Sequence, residues 1–233
     1  MIKPTEISLE KIADDLHNGR LWTELRSSWA IALLYRVPSL PLVWLAARIG
    51  ISPTTVTLLA LALAFSMPLQ AVFLPLGIGA WAVALSGILF QILDCVDGTL
   101  ARVTGQSSKR GADLDFLVDM AQWGLLYLAI GLLADRTLDD TWNWTAIAAL
   151  AAWLRLMARL VRDRLDQPTD DDRPAQLTPA QLPGAFVAGL SGLVPFLALT
   201  GGGLGWAVSA LLIYSVLDLV EGLLPLLHRP NEK

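Results

Sequence analysis

The chain has a single cysteine, Cys95, among its 233 residues. One thiol excludes an intramolecular disulfide and every metal site that needs several cysteines. Cysteine is one of the residue types most often buried as a small apolar side chain. We therefore interpret Cys95 as a packing residue.

Charged residues are scarce as well, at 16% of the chain, whereas 55% of the residues are hydrophobic. Soluble domains carry about 25% charged residues, so this composition is typical of an integral membrane protein. The chain has no basic domain and no nucleic-acid-binding motif, which argues against a nucleic-acid partner. The polar residues 1–10 contain no apolar run, so we expect no cleavable secretory signal.

Six stretches approach the length of about 20 apolar residues that a membrane-spanning helix needs. They are roughly Thr54–Leu74, Gly77–Leu100, Ala112–Leu133, Trp142–Leu165, Gly184–Leu199 and Leu204–Leu227. Upstream, residues 9–25 carry apolar residues at helical spacing with charges between them, and Trp29–Ile49 is apolar but contains two arginines and two prolines. The first segment is predicted to be an amphipathic helix that lies on the membrane, and the second is predicted to be a pair of interfacial helices.

The predicted fold is therefore an all-α integral membrane protein, a six-transmembrane-helix bundle with N-terminal amphipathic interfacial helices. Its predicted parts are the interfacial helices over 1–50, the transmembrane domain over 51–228 and a polar tail over 229–233. Of the 17 lysines and arginines, only Arg136 falls on the side opposite to both termini. Positive residues are retained in the cytoplasm, so we expect both termini and the cytoplasmic end of the second and third spans to face the cytosol of a bacterial inner membrane.

Four aspartates lie near that end of the second and third spans. Asp94 and Asp97 are three residues apart, and Asp115 and Asp119 are four apart, so each pair shares a helix face and the pairs can oppose each other in a hairpin. One ionised side chain near the bilayer centre costs about 2.5–3.5 kcal/mol, and four would cost roughly 10 kcal/mol. This cost predicts a bound cation, and an all-carboxylate donor set favours Mg²⁺ or Mn²⁺. Two such ions suit phosphoryl transfer.

Small residues surround the acidic pairs. Gly98, Ala101 and Gly111 remove side chains from the mouth of the hairpin, so a flat ligand could approach the backbone, and Arg102 could reach a phosphate oxygen. Helix packing through small residues, with an arginine that extends to the interface, is the alternative. Asp113 lies on another helix face and is interpreted as solvated or capping.

Together these positions resemble the signature of the CDP-alcohol phosphotransferase family. The matching residues are Asp94-x2-Asp97-Gly98-x2-Ala101-Arg102-x8-Gly111-x3-Asp115-x3-Asp119. The segment from Pro53 to Thr57 also resembles the Pro-x-x-(Val/Ile)-Thr opening of that family's first span, although Thr54 stands where Asn is common.

The resemblance implies an enzyme of phospholipid synthesis. It would transfer a phosphatidyl group from a CDP-linked donor, usually CDP-diacylglycerol, to an alcohol with release of CMP, and Asp119 would be the catalytic base. The implied ligands of two Mg²⁺ or Mn²⁺ ions are Asp94, Asp97, Asp115 and Asp119. The implied donor-binding residues are Gly98, Ala101, Arg102 and Gly111. A homodimer is implied by the resemblance alone.

The acceptor is predicted from three arginines on one face of the fourth span. Arg155, Arg159 and Arg162 could bind a phosphorylated polyol, such as inositol phosphate or glycerol phosphate, and the alternative is positive charge that extends to the interface. Asp218 and Glu221 on the sixth span are predicted either to pair with these arginines or to bind acceptor hydroxyl groups.

Other functions remain as alternatives. Within the family, transfer to an unphosphorylated alcohol such as serine stays open, as does transfer of phosphocholine or phosphoethanolamine from a CDP-amino alcohol to diacylglycerol. A membrane prenyltransferase also holds diphosphate through metal ions on aspartates, but it lacks the Gly-x-x-Ala-Arg stretch. A cation transporter or channel would distribute its carboxylates along the membrane depth.

Overall fold

The computed structural model describes residues 12, 14, 24–25, 28–164, 186–187 and 189–228, with side chains as far as Leu224. The regular structure in this part of the chain is helical and contains no strand, which confirms the all-α prediction. Most of the predicted amphipathic helix over 9–25 and the tail over 229–233 lie outside the described residues.

Six helices among the described residues are long and apolar enough to cross a membrane. The helices are α1 (Trp29–Ile49), α2 (Pro53–Phe73), α3 (Leu76–Val103), α4 (Lys109–Thr137), α5 (Trp144–Arg164) and α6 (Leu204–His228). Two short 3₁₀-helices, Leu190–Leu199 and Gly201–Gly203, precede α6. The number of long apolar helices agrees with the sequence prediction, but the set differs at two places.

The first difference is α1, for which the sequence predicted a pair of helices. One helix instead continues through both prolines of this segment, Pro38 and Pro41, and contains a π-helical turn at Ala32–Arg36. A proline leaves the carbonyl one turn earlier without its donor, and π geometry and hydroxyl side chains restore such bonds in membrane helices. The Ser39 hydroxyl donates to the carbonyl oxygen of Arg36 at 2.7 Å, next to the Val37 carbonyl that Pro41 leaves without its donor.

The second difference is the predicted fifth span, Gly184–Leu199. Its described part contains the helical residues 186, 187 and 189 and the ten-residue 3₁₀-helix Leu190–Leu199. A 3₁₀-helix rises about 2.0 Å per residue, which gives this one a length of about 20 Å. The hydrocarbon core is about 30 Å thick, so this helix is too short to cross it alone.

The chain divides into two compact units, and α2, α3 and α4 each contribute one segment to both. The first unit lies within Met1–Ala64, Leu85–Asp119 and Asp170–Pro195, and the second lies within Phe65–Ala84, Met120–Thr169 and Phe196–Lys233. All of α1 belongs to the first unit, which holds only one part of α2 and one part of α3.

The core of the first unit joins α1, α2 and α3. Its buried members are Ile12, Val43, Ala46, Ala47, Val56, Val96, Leu100 and Val103. The three members on α3 recur at helical spacing, so their burial sets the rotation of that helix about its axis. This rotation directs the polar positions of α3 to a different face.

In the second unit, α4 and α5 approach closely at Gly131. A Cβ atom placed there would lie 2.6 Å from the Cβ of Ala148. The Asp135 carboxylate accepts hydrogen bonds from the backbone N–H groups of Trp144 at 2.6 Å and Thr145 at 3.0 Å. These bonds satisfy free donors at the start of α5. Helix α5 in turn packs along α6.

Candidate functional site

Three of the four predicted metal ligands come together in the first unit. One carboxylate oxygen from each of Asp94, Asp97 and Asp115 lies within 4.8 Å of the other two. The first two residues belong to α3 and the third to α4, so the two helices supply the cluster as the sequence predicted. A divalent cation holds oxygen ligands at about 2.0–2.6 Å, so these carboxylates need little movement to share one ion.

Asp119 lies one helical turn beyond Asp115 on α4 and is not a member of this group of three. Its side chain is half-buried and takes part in an interaction of its own. Its roles as a ligand of a second ion and as a general base stay predictions.

Asp97 is the most deeply buried carboxylate of the cluster, with 4% of its surface exposed. The Thr57 hydroxyl of α2 donates to Oδ2 of Asp97 at 2.6 Å. The other oxygen, Oδ1, is buried and has no hydrogen-bond partner among the described residues. A buried carboxylate oxygen without a partner is costly, and a cation shared with Asp94 and Asp115 would remove this cost. The oxygen-only cluster therefore fits a hard divalent ion.

Thr57 is a member of the site that the sequence analysis did not assign. It is the last residue of the Pro-x-x-Val-Thr segment at the start of α2, and that segment was the available signal. Its hydroxyl also lies 3.1 Å from the carbonyl oxygen of Pro53, one turn earlier. The threonine therefore links the first turn of α2 to the acidic cluster.

The predicted donor-binding positions on α3 have an open backbone next to an arginine. A Cβ atom at Gly98 would have one neighbour outside its own helix backbone within 4 Å, the Arg102 Nη1 atom at 3.4 Å. The Nη2 atom of Arg102 donates to the Thr99 hydroxyl at 3.1 Å. The guanidinium of Arg102 thus lies next to Gly98. Ala101, on the same helix, is half-buried.

Gly111 lies in the first turn of α4. Its N–H group donates to the Ser108 hydroxyl at 3.1 Å, which caps this helix. A Cβ atom at Gly111 would approach the same hydroxyl oxygen to 3.2 Å. Contact of Gly98, Ala101, Arg102 and Gly111 with a nucleotide donor stays a prediction.

A buried arginine of α1 supports the same turn of α3. Arg36 donates to the carbonyl oxygen of Cys95 at 3.2 Å and to the Thr99 hydroxyl at 3.2 Å, and it forms a bidentate ion pair with Glu24. The guanidinium groups of Arg36 and Arg102 therefore share the Thr99 hydroxyl. A charge inside the otherwise apolar Trp29–Ile49 stretch was the signal for this contact.

Cys95 itself is buried and free, as expected of a packing residue.

In the second unit, two of the three predicted acceptor arginines bind one carboxylate. Arg155 Nη1 pairs with Oδ2 of Asp218, and Arg162 Nη2 pairs with Oδ1. Glu221 lies 3.8 Å from Arg162 with 79% of its side chain exposed, and Arg159 is exposed. Of the two alternatives predicted for Asp218 and Glu221, the ion pair with the arginines is the one present.

Aromatic side chains surround Arg155. Its guanidinium carbon lies 5.5 Å from the ring centroid of Trp123 and 5.0 Å from that of Tyr214. Its Nη1 atom is also 3.4 Å from the Tyr214 hydroxyl oxygen. These cation–π contacts stabilise a partly desolvated cation, and the sequence analysis did not predict them.

The family model for CDP-alcohol phosphatidyltransferases matches residues 50–190 of this chain. The chain therefore belongs to the CDP-alcohol phosphatidyltransferase family, as its signature predicted, and its class is that of transferases of phosphate-containing groups. Among curated proteins, it resembles the phosphatidylinositol phosphate synthase of Corynebacterium glutamicum, with 36% identity over 90 residues. That match covers 39% of this chain and 40% of the relative.

Proposed function

We propose that this protein transfers a phosphatidyl group from CDP-diacylglycerol to the hydroxyl group of a phosphorylated polyol and releases CMP. The convergence of Asp94, Asp97 and Asp115 within 4.8 Å carries the proposal, in a chain of this family. The choice of acceptor, inositol phosphate or glycerol phosphate, is supported by the named activity of the relative and by the paired arginines of α5.

The four aspartates of the signature would hold two divalent ions, Mg²⁺ or Mn²⁺. When bound, such ions neutralise the diphosphate and stabilise the negative charge that develops during transfer. The open backbone at Gly98, Ala101 and Gly111 leaves room for the cytidine diphosphate, and Arg102 is within reach of a phosphate oxygen at this position.

Asp119 would orient and deprotonate the acceptor. The hydroxyl oxygen of the acceptor forms a new bond to the phosphorus that carries the diacylglycerol, and the phosphoanhydride bond to CMP breaks. CMP leaves with the electron pair of that bond, and the hydroxyl proton passes to the Asp119 carboxylate. A carboxylate suits this role because it can accept the proton as the new bond forms.

We place the reaction at the cytoplasmic face of a bacterial inner membrane. The distribution of lysine and arginine supports this orientation, since positively charged loops are retained in the cytoplasm. The long apolar helices support an integral membrane location.

The proposal is tested by CMP release from CDP-diacylglycerol, with the purified protein in detergent and a panel of inositol phosphate, glycerol phosphate, inositol and serine. We expect release with a phosphorylated polyol, loss of release with EDTA and recovery with Mg²⁺. Asp97→Asn should lower the rate by a factor of about 100 or more. Asp113→Asn is the matched control, because Asp113 is exposed on another face of the same hairpin.

Two outcomes would contradict the proposal. One is an Asp97→Asn protein that releases CMP as fast as the parent, and the other is activity that survives EDTA. CMP release from CDP-choline and diacylglycerol, without release from CDP-diacylglycerol, would instead favour the amino-alcohol branch of the family.

A further inference from the structure

Arg155 and Arg162 are seven residues apart on α5, which places them about 10.5 Å apart along the helix axis and on nearly the same face. Both reach the single carboxylate of Asp218 on α6, one guanidinium to each oxygen. Arg162 also donates to the backbone carbonyl oxygen of Asp218 at 3.1 Å. The Asp218 side chain is only 8% exposed, so little water competes with the two guanidinium groups for its oxygens.

This group of three side chains is not electrically balanced. Two guanidinium groups face one buried carboxylate, which leaves one positive charge in excess. Glu221 is nearby at 3.8 Å from Arg162, but it is 79% exposed, and solvent screens such a contact strongly. A phosphate monoester carries close to two negative charges at neutral pH, and it would balance the two arginines.

A buried hydroxyl also lies near the arginines. The Tyr127 side chain is fully buried, and its hydroxyl lies near that of Ser215 without a hydrogen bond of good geometry. This hydroxyl lies within electrostatic range of Arg155. A carboxylate has two oxygens, and both oxygens of Asp218 are already bound to arginines. A phosphate monoester offers three terminal oxygens in a tetrahedral arrangement, so the third could accept from Tyr127.

Arg155 has support that does not depend on Asp218. The rings of Trp123 and Tyr214 flank its guanidinium at 5.5 Å and 5.0 Å. Cation–π contacts of this kind hold an arginine in place. The guanidinium can therefore stay in position while its anionic partner is exchanged.

From these observations we propose that Asp218 is an internal anion that occupies the Arg155 and Arg162 pair until the phosphate of the acceptor replaces it. Carboxylate and phosphate bind guanidinium through the same N–H···O geometry, so the aspartate keeps the arginines organised and also competes with the acceptor. The inference rests on the proposed function, because it identifies the incoming anion with the phosphate monoester of the acceptor. Asp218 is then a specificity-determining residue.

The test measures binding of inorganic phosphate and of glycerol 3-phosphate to the full chain in detergent, by calorimetry and by the shift in melting temperature. Asp218→Asn keeps an oxygen acceptor but removes the competing charge. We expect its half-saturating concentrations to fall by a factor of about ten relative to the parent. Asp163→Asn is the control, because it removes an exposed negative charge of α5 outside this group of three side chains, and its half-saturating concentrations should stay unchanged.

Unchanged or weaker phosphate binding by folded Asp218→Asn would overturn the inference. If that variant does not fold, Asp218→Glu keeps the charge but moves the carboxylate by one methylene. It must then change the half-saturating phosphate concentration by at least about threefold, and an unchanged value overturns the inference.

Phosphatidylglycerol micelles form a separate arm of the test, because lipid headgroups also carry phosphate. Binding of this phosphodiester without binding of either phosphate monoester would likewise overturn the inference. CMP release is measured in parallel. If the parent binds phosphate and Asp218→Asn binds it more tightly, but the parent releases no CMP, the proposed reaction alone is contradicted. If the parent releases CMP and Asp218→Asn binds phosphate as the parent does, the role of Asp218 alone is contradicted.

Discussion

The two oxygens of Asp97 have different environments. Thr57 donates to Oδ2, and Oδ1 has no hydrogen-bond partner among the described residues. Hydrogen bonds to a ligating carboxylate orient it and tune its affinity for the ion. The Thr57 hydroxyl therefore fixes which oxygen of Asp97 is left for the ion that it would share with Asp94 and Asp115.

Thr57→Val removes this hydroxyl and keeps the branched shape of the side chain. Loss of such an outer contact typically lowers metal affinity by about 10–100-fold, so we expect a rise of about tenfold in the Mg²⁺ concentration for half-maximal CMP release. Mn²⁺ binding should weaken by a similar factor. Electron paramagnetic resonance measures this binding without any turnover of substrate.

Thr57→Ser should restore both values, because serine keeps the hydroxyl. Thr55→Val is the control on the same helix turn, since Thr55 is exposed and hydrogen-bonds to Ser52. Equal Mn²⁺ affinity in Thr57→Val and the parent would contradict the role assigned to Thr57.

Residues of the site differ in how far the sequence predicts them. Asp94 and Asp97 could be paired from their spacing on one helix, and the short connection to α4 explains why Asp115 joins them. Thr57 is 40 residues from Asp97, and their contact depends on the rotation of α2 against α3. Arg36 reaches Thr99 across 63 residues, so local patterns could single out each residue but not its partner.

At the scale of single elements, α4 and α5 show how one glycine sets the distance between two helices. A Cβ atom at Gly131 would lie 2.6 Å from the Ala148 Cβ and 2.9 Å from both the Thr145 Cα and the Trp144 carbonyl oxygen. Backbone atoms cannot turn away as a flexible side chain can. Small residues that permit close approach are a common basis of helix packing in membranes.

Gly131→Ala should therefore lower the thermal stability of the protein, although alanine favours the helix by about 0.8–1.0 kcal/mol. Overpacking of a close contact costs about 1–3 kcal/mol, which exceeds that gain. The melting temperature in detergent is the measurement.

Gly124→Ala is the control on the same helix, because its Cβ would meet only the Leu156 Cδ1 atom at 3.8 Å. We expect that variant to be as stable as the parent or slightly more stable. A Gly131→Ala protein that melts at or above the temperature of Gly124→Ala would show that α4 and α5 can separate without cost.

The elements also show where propensity rules fall short. Pro38 and Pro41 suggested a break in the apolar segment Trp29–Ile49, yet the π-helical turn at Ala32–Arg36 allows one helix to continue. The position of the 3₁₀-helix Leu190–Leu199 also depends on a contact with another helix. The Tyr35 hydroxyl donates to the Gly192 carbonyl oxygen there, and this tertiary contact has no local sequence signal.

At the scale of the whole molecule, hydropathy predicted the helical class and most spans correctly because about 20 apolar residues are needed for each crossing. It assigned Trp29–Ile49 to the membrane interface, whereas α1 is long and apolar enough to cross the membrane.

The predicted orientation can be mapped with single cysteines, because the natural chain has only Cys95. In a Cys95→Ala background, Gln106→Cys in the connection from α3 to α4 should resist a membrane-impermeant thiol reagent added to intact cells. Asp139→Cys in the connection from α4 to α5 should react with it. Both positions are exposed, so a difference in labelling reports the side of the membrane.

Both cysteines should react once the membrane is made permeable. Labelling of Gln106→Cys in intact cells, with protection of Asp139→Cys, would invert the topology and place the acidic cluster outside the cytoplasm.

The unpaired Oδ1 atom of Asp97 has a consequence for the lifetime of the protein in the cell. An ion that binds only the folded chain adds about 2.7 kcal/mol of stability at one hundred times its dissociation constant. In cells starved of magnesium, membrane proteases would then degrade more of this protein. The molecules that remain would also turn over lipid more slowly. Phospholipid output would fall further than enzyme saturation alone predicts, and would recover only as fast as new chains are made.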